Sequence, residues 1–117
     1  MLRLGAICGS LMLAALPAAA EFATVQDRAT FVDLVAGRTL SRPMVSLRVS
    51  PDGAISGRGA VWDVTGAWTW REGYFCRDLT WGGDPLGYDC QAVQARGDTI
   101  RFVAEQGRGE AAEFTLR

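Results

Sequence analysis

The sequence predicts a mainly β fold: a small antiparallel β-barrel, or a strongly curved meander, of seven or eight short strands with one short N-terminal helix and one disulfide. Three observations carry this. From Arg38 onward apolar residues recur with period 2, Gly-bearing turn signals interrupt the chain every 8 to 12 residues or so, and only one segment shows helical spacing. Tight turns between successive strands favour an antiparallel meander, and a meander that must hide its edges tends to close on itself.

The chain has 117 residues. Residues 1–20 have the order of a cleavable export signal: Arg3, an apolar stretch from Leu4 to Leu16, a breaker at Pro17, then Ala18 and Ala20. That apolar stretch is shorter than the roughly 20 residues a helix needs to span hydrocarbon, so no stable membrane insertion is expected after cleavage. Residues 21–117 are expected to form a single domain, located in the periplasm or secreted. The mature chain then holds two cysteines, Cys76 and Cys90, which in an exported domain of this size are expected to pair.

The elements follow in order. Thr24-Val25-Gln26-Asp27 fits a helix-start pattern, Phe31, Leu34 and Val35 give the buried stripe, and Gly37 ends the helix. Val45, Leu47 and Val49 alternate with polar residues before the Pro51-Asp52-Gly53 turn. Ala60, Trp62, Val64, Gly66, Trp68 and Trp70 share one face of the next strand, which Glu72 and Gly73 end. A strand from Tyr74 to Trp81, a loop at Gly82-Gly83-Asp84-Pro85 and a returning strand over 86–94 follow. Ile100, Phe102 and Ala104 then alternate with Arg101 and Glu105, and Gly107-Arg108-Gly109 turns the chain into Ala112, Phe114 and Leu116.

If Cys76 and Cys90 face each other across one hairpin, its midpoint is Gly83, among the loop residues. The same register sets Arg77 opposite Asp89 and Phe75 opposite Gln91, on the face away from the sulfurs. Leu79, Trp81 and Val93 share that face, which marks it as the core side. An arginine there calls for a partner, and Asp89 is placed to be one, as a structural ion pair or as a polar contact at the floor of a ligand cavity. Both charges in solvent is the third reading.

The formal net charge is −1, with 12 Arg, no Lys and no His against 13 acids, which gives no electrostatic reason to expect nucleic acid as a partner. Without His there is no imidazole base for a Ser or Cys nucleophile, and without Lys no Schiff-base amine. The glycine run 57–59 lacks the spacing and context of a nucleotide loop, and the Asp residues are scattered singly. No enzyme activity, catalytic residue, metal or cofactor is expected; a hydrolase working on carboxylates alone is the weakest alternative. Trp62, Trp68, Trp70 and Trp81 serve as core or as a binding surface, since Trp and Arg concentrate at interface centres. Trp68, Trp70 and Trp81, with Arg77, Asp84 and Asp89, are the candidate ligand- or partner-binding residues, and the loop around Asp84, Pro85 and Leu86 is the candidate contact surface.

The run Gly66-Ala67-Trp68-Thr69-Trp70, then Tyr74-Phe75-Cys76-Arg77, Asp89-Cys90-Gln91, Arg101-Phe102 and the Gly107-Arg108-Gly109 turn resembles a family of small exported bacterial proteins of uncharacterised function. These share a G-x-W-x-W, F-C-R, D-C-Q order. Some carry a dihydrodipicolinate reductase label, for which this sequence has no nucleotide fingerprint. In outline a compact barrel with one disulfide is also similar to bacterial periplasmic inhibitors of metalloproteases and lysozymes, a likeness of architecture alone. The expected function is a non-catalytic exported module that binds a protein or envelope component, with an inhibitor-like role as one form of it; the alternative is a small-molecule-binding barrel with Trp68, Trp70 and Arg77 lining its cavity.

Overall fold

The structure, a computed structural model, describes residues 21–117. The export signal expected over 1–20 lies outside the described residues. The element order is β1 (Ala23–Val25), α1 (Arg28–Val35), β2 (Leu40–Arg42), β3 (Val45–Val49), β4 (Ala54–Gly59), β5 (Trp62–Arg71), β6 (Tyr74–Trp81), β7 (Asp84–Arg96), β8 (Thr99–Val103), α2 (Ala104–Gly107) and β9 (Ala111–Leu116). Strands β2 to β9 form a closed antiparallel barrel in the order β7-β6-β5-β4-β3-β2-β9-β8, with β7 pairing β8 to shut the ring. β1 is an extra strand, paired with β7 from Ala23↔Ala95 to Val25↔Val93.

Closure gives every strand an inward and an outward face. Leu40, Val49, Ile55, Val64, Trp68, Phe75, Val93, Ile100, Phe102 and Leu116 are buried. Gly66 falls in this inward series by alternation with Val64 and Trp68, and a Cβ there would collide with the Asp78 carbonyl oxygen on β6. A side chain at that position would force the two strands apart.

Successive turns of a meander alternate between the two ends of the barrel, and the two ends differ. At one end lie the Pro51-Asp52-Gly53, Glu72-Gly73 and Gly97-Asp98 turns together with α1. The helix seals this end. Phe31, wholly buried, packs its ring 5.2 Å from Trp68 and from Trp70, 5.0 Å from Phe75 and 6.3 Å from Phe102, reaching three strands at once. Arg28 ties the helix to the β3–β4 turn by donating to the Pro51 carbonyl.

The start of the helix differs from the expectation. Thr24 lies in β1, and the cap is Asp27, whose Oδ1 accepts from the Thr30 N–H at 2.8 Å. Hydrogen bonding from Thr30 holds the Asp27 carboxyl below the usual range, and hydrogen bonds from Ser50 and Ala54 do the same for Asp52 in its turn. Apolar pattern alone did not mark β1, since only Val25 of its three residues is buried.

The Cys76–Cys90 disulfide is present, with S–S at 2.08 Å, and the register it fixes extends from Phe75↔Gln91 through Arg77↔Asp89 to Leu79↔Gly87. Beyond that the hairpin departs from the symmetric loop expected. A bulge shifts the pairing to Thr80↔Pro85 and Trp81↔Asp84, so Asp84 and Pro85 belong to β7 and the turn is Gly82-Gly83 alone. Both glycines have positive φ, 58° and 90°, as a two-residue hairpin turn demands. At the same end of the barrel, β8 stops at Val103 instead of continuing through Ala104. The chain enters a second short helical turn, α2, because Glu105 and Gln106 adopt left-handed φ of 55° and 57°.

Reduction of the disulfide is expected to lower the melting temperature by roughly 10–20 °C, the equivalent of about 3 kcal/mol for a loop this long. Thermal unfolding followed by circular dichroism with and without reductant checks it. Phe31→Ala should cost about 3–5 kcal/mol by leaving a void at the centre of the ring cluster, measured by denaturant titration of the oxidised protein.

Candidate functional site

The end opposite α1 carries the Pro43-Met44, Ala60-Val61 and Gly82-Gly83 turns and the α2 connection. No helix seals it. Inward-facing strand positions that adjoin these turns end up around an open mouth, and several are large apolar residues left in solvent: Trp62 is 56% exposed, Trp81 40%, and beside them Met44 and Leu86 are 74% and 50%. Such a concentration of exposed apolar surface at one end of a small domain marks an interaction site.

The rim indoles are seated on glycines. Trp81 lies against Gly59, where an added Cβ would come within 3.1 Å of its ring, and its Nε1 donates to the Gly59 carbonyl at 3.0 Å. It reaches across β5 to do so, and so forms a partial cover over the interior. Trp62 packs on Gly82 in the same way. Two depressions flank Trp81 at the mouth, one of about 370 Å³ between Trp62, Asp84 and Leu86, the other of about 540 Å³ bordered by Arg42, Met44 and Phe114. Arg42 sits over the Phe114 ring at 5.6 Å.

Below the mouth the barrel is hollow. A wholly apolar space of about 120 Å³ between Leu47, Val64, Leu79 and Trp81 adjoins an interior cavity of about 160 Å³. The inner cavity is lined by aliphatic and aromatic side chains from β2, β3, β4, β6, β8 and β9, by Gln91, and by Arg77. Among the described residues that line it, Arg77 carries the only charge. Leu47 and Leu79 border both spaces, and the series Arg77, Leu79, Trp81 along β6 sets the inner one below the outer one; together the two make up the passage under the mouth.

Arg77 and Asp89 occupy the opposed positions the register demands, yet they form no ion pair. The Arg77 guanidinium donates to the Gly87 carbonyl at 2.7 Å. The Asp89 carboxylate accepts from the Glu105 N–H at 3.1 and 3.3 Å and from Gln91 Nε2 at 3.2 Å. β8 leaves β7 at Ala92↔Val103, so on that side of Asp89 the neighbour is α2 and not a strand, and the Glu105 N–H claims the carboxylate. Among the described residues, none that is polar or charged is fully buried.

The structure brings Arg77, Trp81 and Asp84 to the passage and its mouth. Trp68 and Trp70 lie at the sealed end under Phe31, and the Trp68 Nε1 donates to the Ser50 carbonyl at 2.8 Å. Asp89 anchors α2. The tryptophan load marked Trp62 with the other three indoles as core or binding surface but did not place it among the candidate site residues, and Met44 and Phe114 carried no such mark. Their signal was available: each lies on or within one strand of the turns that share an end with Gly82-Gly83. Among the described residues no group of three or more His, Cys, Asp or Glu gathers where a metal could be held, and no helix is long and apolar enough to cross a membrane.

Asp89→Ala should cost about 1–2 kcal/mol, because it frees the Glu105 N–H and loosens a left-handed turn. Arg77→Met should cost less than Asp89→Ala, since it removes one hydrogen bond to an exposed carbonyl and keeps the bulk of the side chain. Denaturant melts of both variants, with amide exchange at Glu105, check the order. No protein-family model, no curated protein and no solved structure matches this chain.

Proposed function

We propose that the protein is a non-catalytic, exported binding module for an envelope component, and that it binds through the open end of the barrel. The observation that carries this reading is the contrast between the two ends. The helix end spends its aromatic residues on a packed core, whereas the other end leaves Met44, Trp62, Trp81 and Leu86 in solvent around a hollow apolar passage. Exposing those groups gains the isolated domain nothing, and covering them would remove apolar surface from water at roughly 25 cal/mol per Å². The indoles are held against glycine backbone, so little side-chain freedom is lost when something lands on them.

The inner cavity, about 160 Å³, is too small to enclose a whole drug-sized molecule, for which pockets begin near ~300 Å³. A narrow apolar part of a larger component suits it better. Carboxylate-only hydrolysis has no support in the arrangement of acids, since Asp84 stands at the rim and Asp89 is engaged by the α2 backbone.

The oxidised protein should raise the fluorescence of the apolar probe N-phenyl-1-naphthylamine and retain lipid from an envelope extract. Leu86→Asp should weaken probe binding at least about fivefold by placing a charge at the rim, while Asp33→Ala on the exposed side of α1 leaves it unchanged. Equal binding by wild type and Leu86→Asp, or no binding, would overturn the open-end reading.

A further inference from the structure

The passage has a defined polarity: a mouth of exposed apolar side chains with Arg42 and Asp84 at its rim, a wholly apolar throat, and one cation within. We propose that it takes a single-chain anionic amphiphile, a fatty-acid carboxylate, head first, with the carboxylate on Arg77 and the chain running past Leu79 and Val64 to leave beside Trp81 and Leu86. This rests on the open-end reading and specifies its ligand.

The guanidinium is the first argument. Arg77 faces the cavity from the middle of β6, between buried Phe75 and the rim residue Trp81. Its side chain makes one protein hydrogen bond among the described residues, to the Gly87 carbonyl, although a guanidinium has five N–H donors. The nearest acid by register, Asp89, is occupied by Glu105 and Gln91. A cation left half-buried against aliphatic walls is poorly solvated, and a carboxylate is the group that suits it best, because the planar fork donates to both of its oxygens at once.

Size and lining set the rest of the ligand. An apolar void of about 150 Å³ admits a benzene-sized group, so the 160 Å³ cavity and the 120 Å³ throat above it accept one hydrocarbon chain, whereas a fused-ring ligand such as the naphthylamine probe is confined to the wider depressions beside Trp81 at the mouth. The throat offers no polar partner. A neutral chain would fill the same space and leave Arg77 unpaired, and a cationic amphiphile would meet like charge. A reversed chain, carboxylate outward, would have to use Arg42 at the rim instead.

Isothermal titration of the full oxidised protein with decanoate, decanol, decyltrimethylammonium and acetate tests this. Decanoate should bind at least about tenfold more tightly than decanol or the ammonium amphiphile, with acetate too weak to detect. Arg77→Met should erase the preference for decanoate over decanol, Arg42→Met should keep it, and Leu79→Trp should block both by filling the throat. Trp81 gives a second readout: decanoate should shift the tryptophan emission of wild type and not of Trp81→Phe. A preference that survives Arg77→Met, one that depends on Arg42, equal binding of anion and cation, or no decanoate binding would each overturn the proposal. Where decanoate fails but the naphthylamine probe still binds in a Leu86-dependent way, the ligand class falls and the open-end reading stands; where both fail, both fall.

Discussion

The barrel depends on what β7 does along its 13 residues. Its first part pairs with β6, where the disulfide locks Cys76 against Cys90, and its second part pairs with β8 on one side and with β1 on the other. One strand thus joins the last pair of the meander to its middle, and without that junction the sheet would have two open edges. The change of partner is also what opens the structure. Because β8 leaves β7 at Ala92, the first part of β7 extends toward the mouth paired with β6 on one side and with no strand on the other, and α2 fills only the level of Asp89.

The hollow interior follows from an uneven use of large residues. At the helix end, Phe31, Trp68, Trp70, Phe75 and Phe102 converge, and the space is full. Further along the axis the inward positions on β4 are Gly57 and Gly59, and β9 supplies Ala112. Trp81 compensates in part by lying over Gly59. An eight-stranded ring has an interior that side chains just fill when they are large, and a cavity results when several are small. Arg77 sits at the boundary between the full half and the hollow half.

Much of this was legible in the chain. The change of period at Arg38, the glycine-bearing turns and the Cys76–Cys90 spacing specify the strands and one exact register, because side-chain alternation leaves a paired strand no freedom once a single cross-link is placed. What escaped depends on backbone geometry that apolar pattern does not encode. The bulge beyond Leu79 adds a residue whose presence shows only in the positive φ of Gly87. The left-handed Glu105 and Gln106 carry no glycine to announce them. Opposite charges at facing positions suggested a pair, but Asp89 had a competitor in the Glu105 N–H that lies sixteen residues away in sequence and beside it in space. The mouth was hidden for a related reason: its residues come from five different strands and a turn, and only closure of the ring shows that they share an end.

The two sulfurs of the staple are not equivalent to a reagent in solution. Cys76 is 2% exposed, whereas Cys90 is only partly covered and has the Tyr88 hydroxyl 3.4 Å from its sulfur. Thiol–disulfide exchange requires an incoming thiolate to reach one particular sulfur, and access decides which. Any oxidoreductase acting on the folded domain would therefore form its mixed disulfide with Cys90 and release Cys76 as a thiolate into a shielded position, where the bond readily closes again.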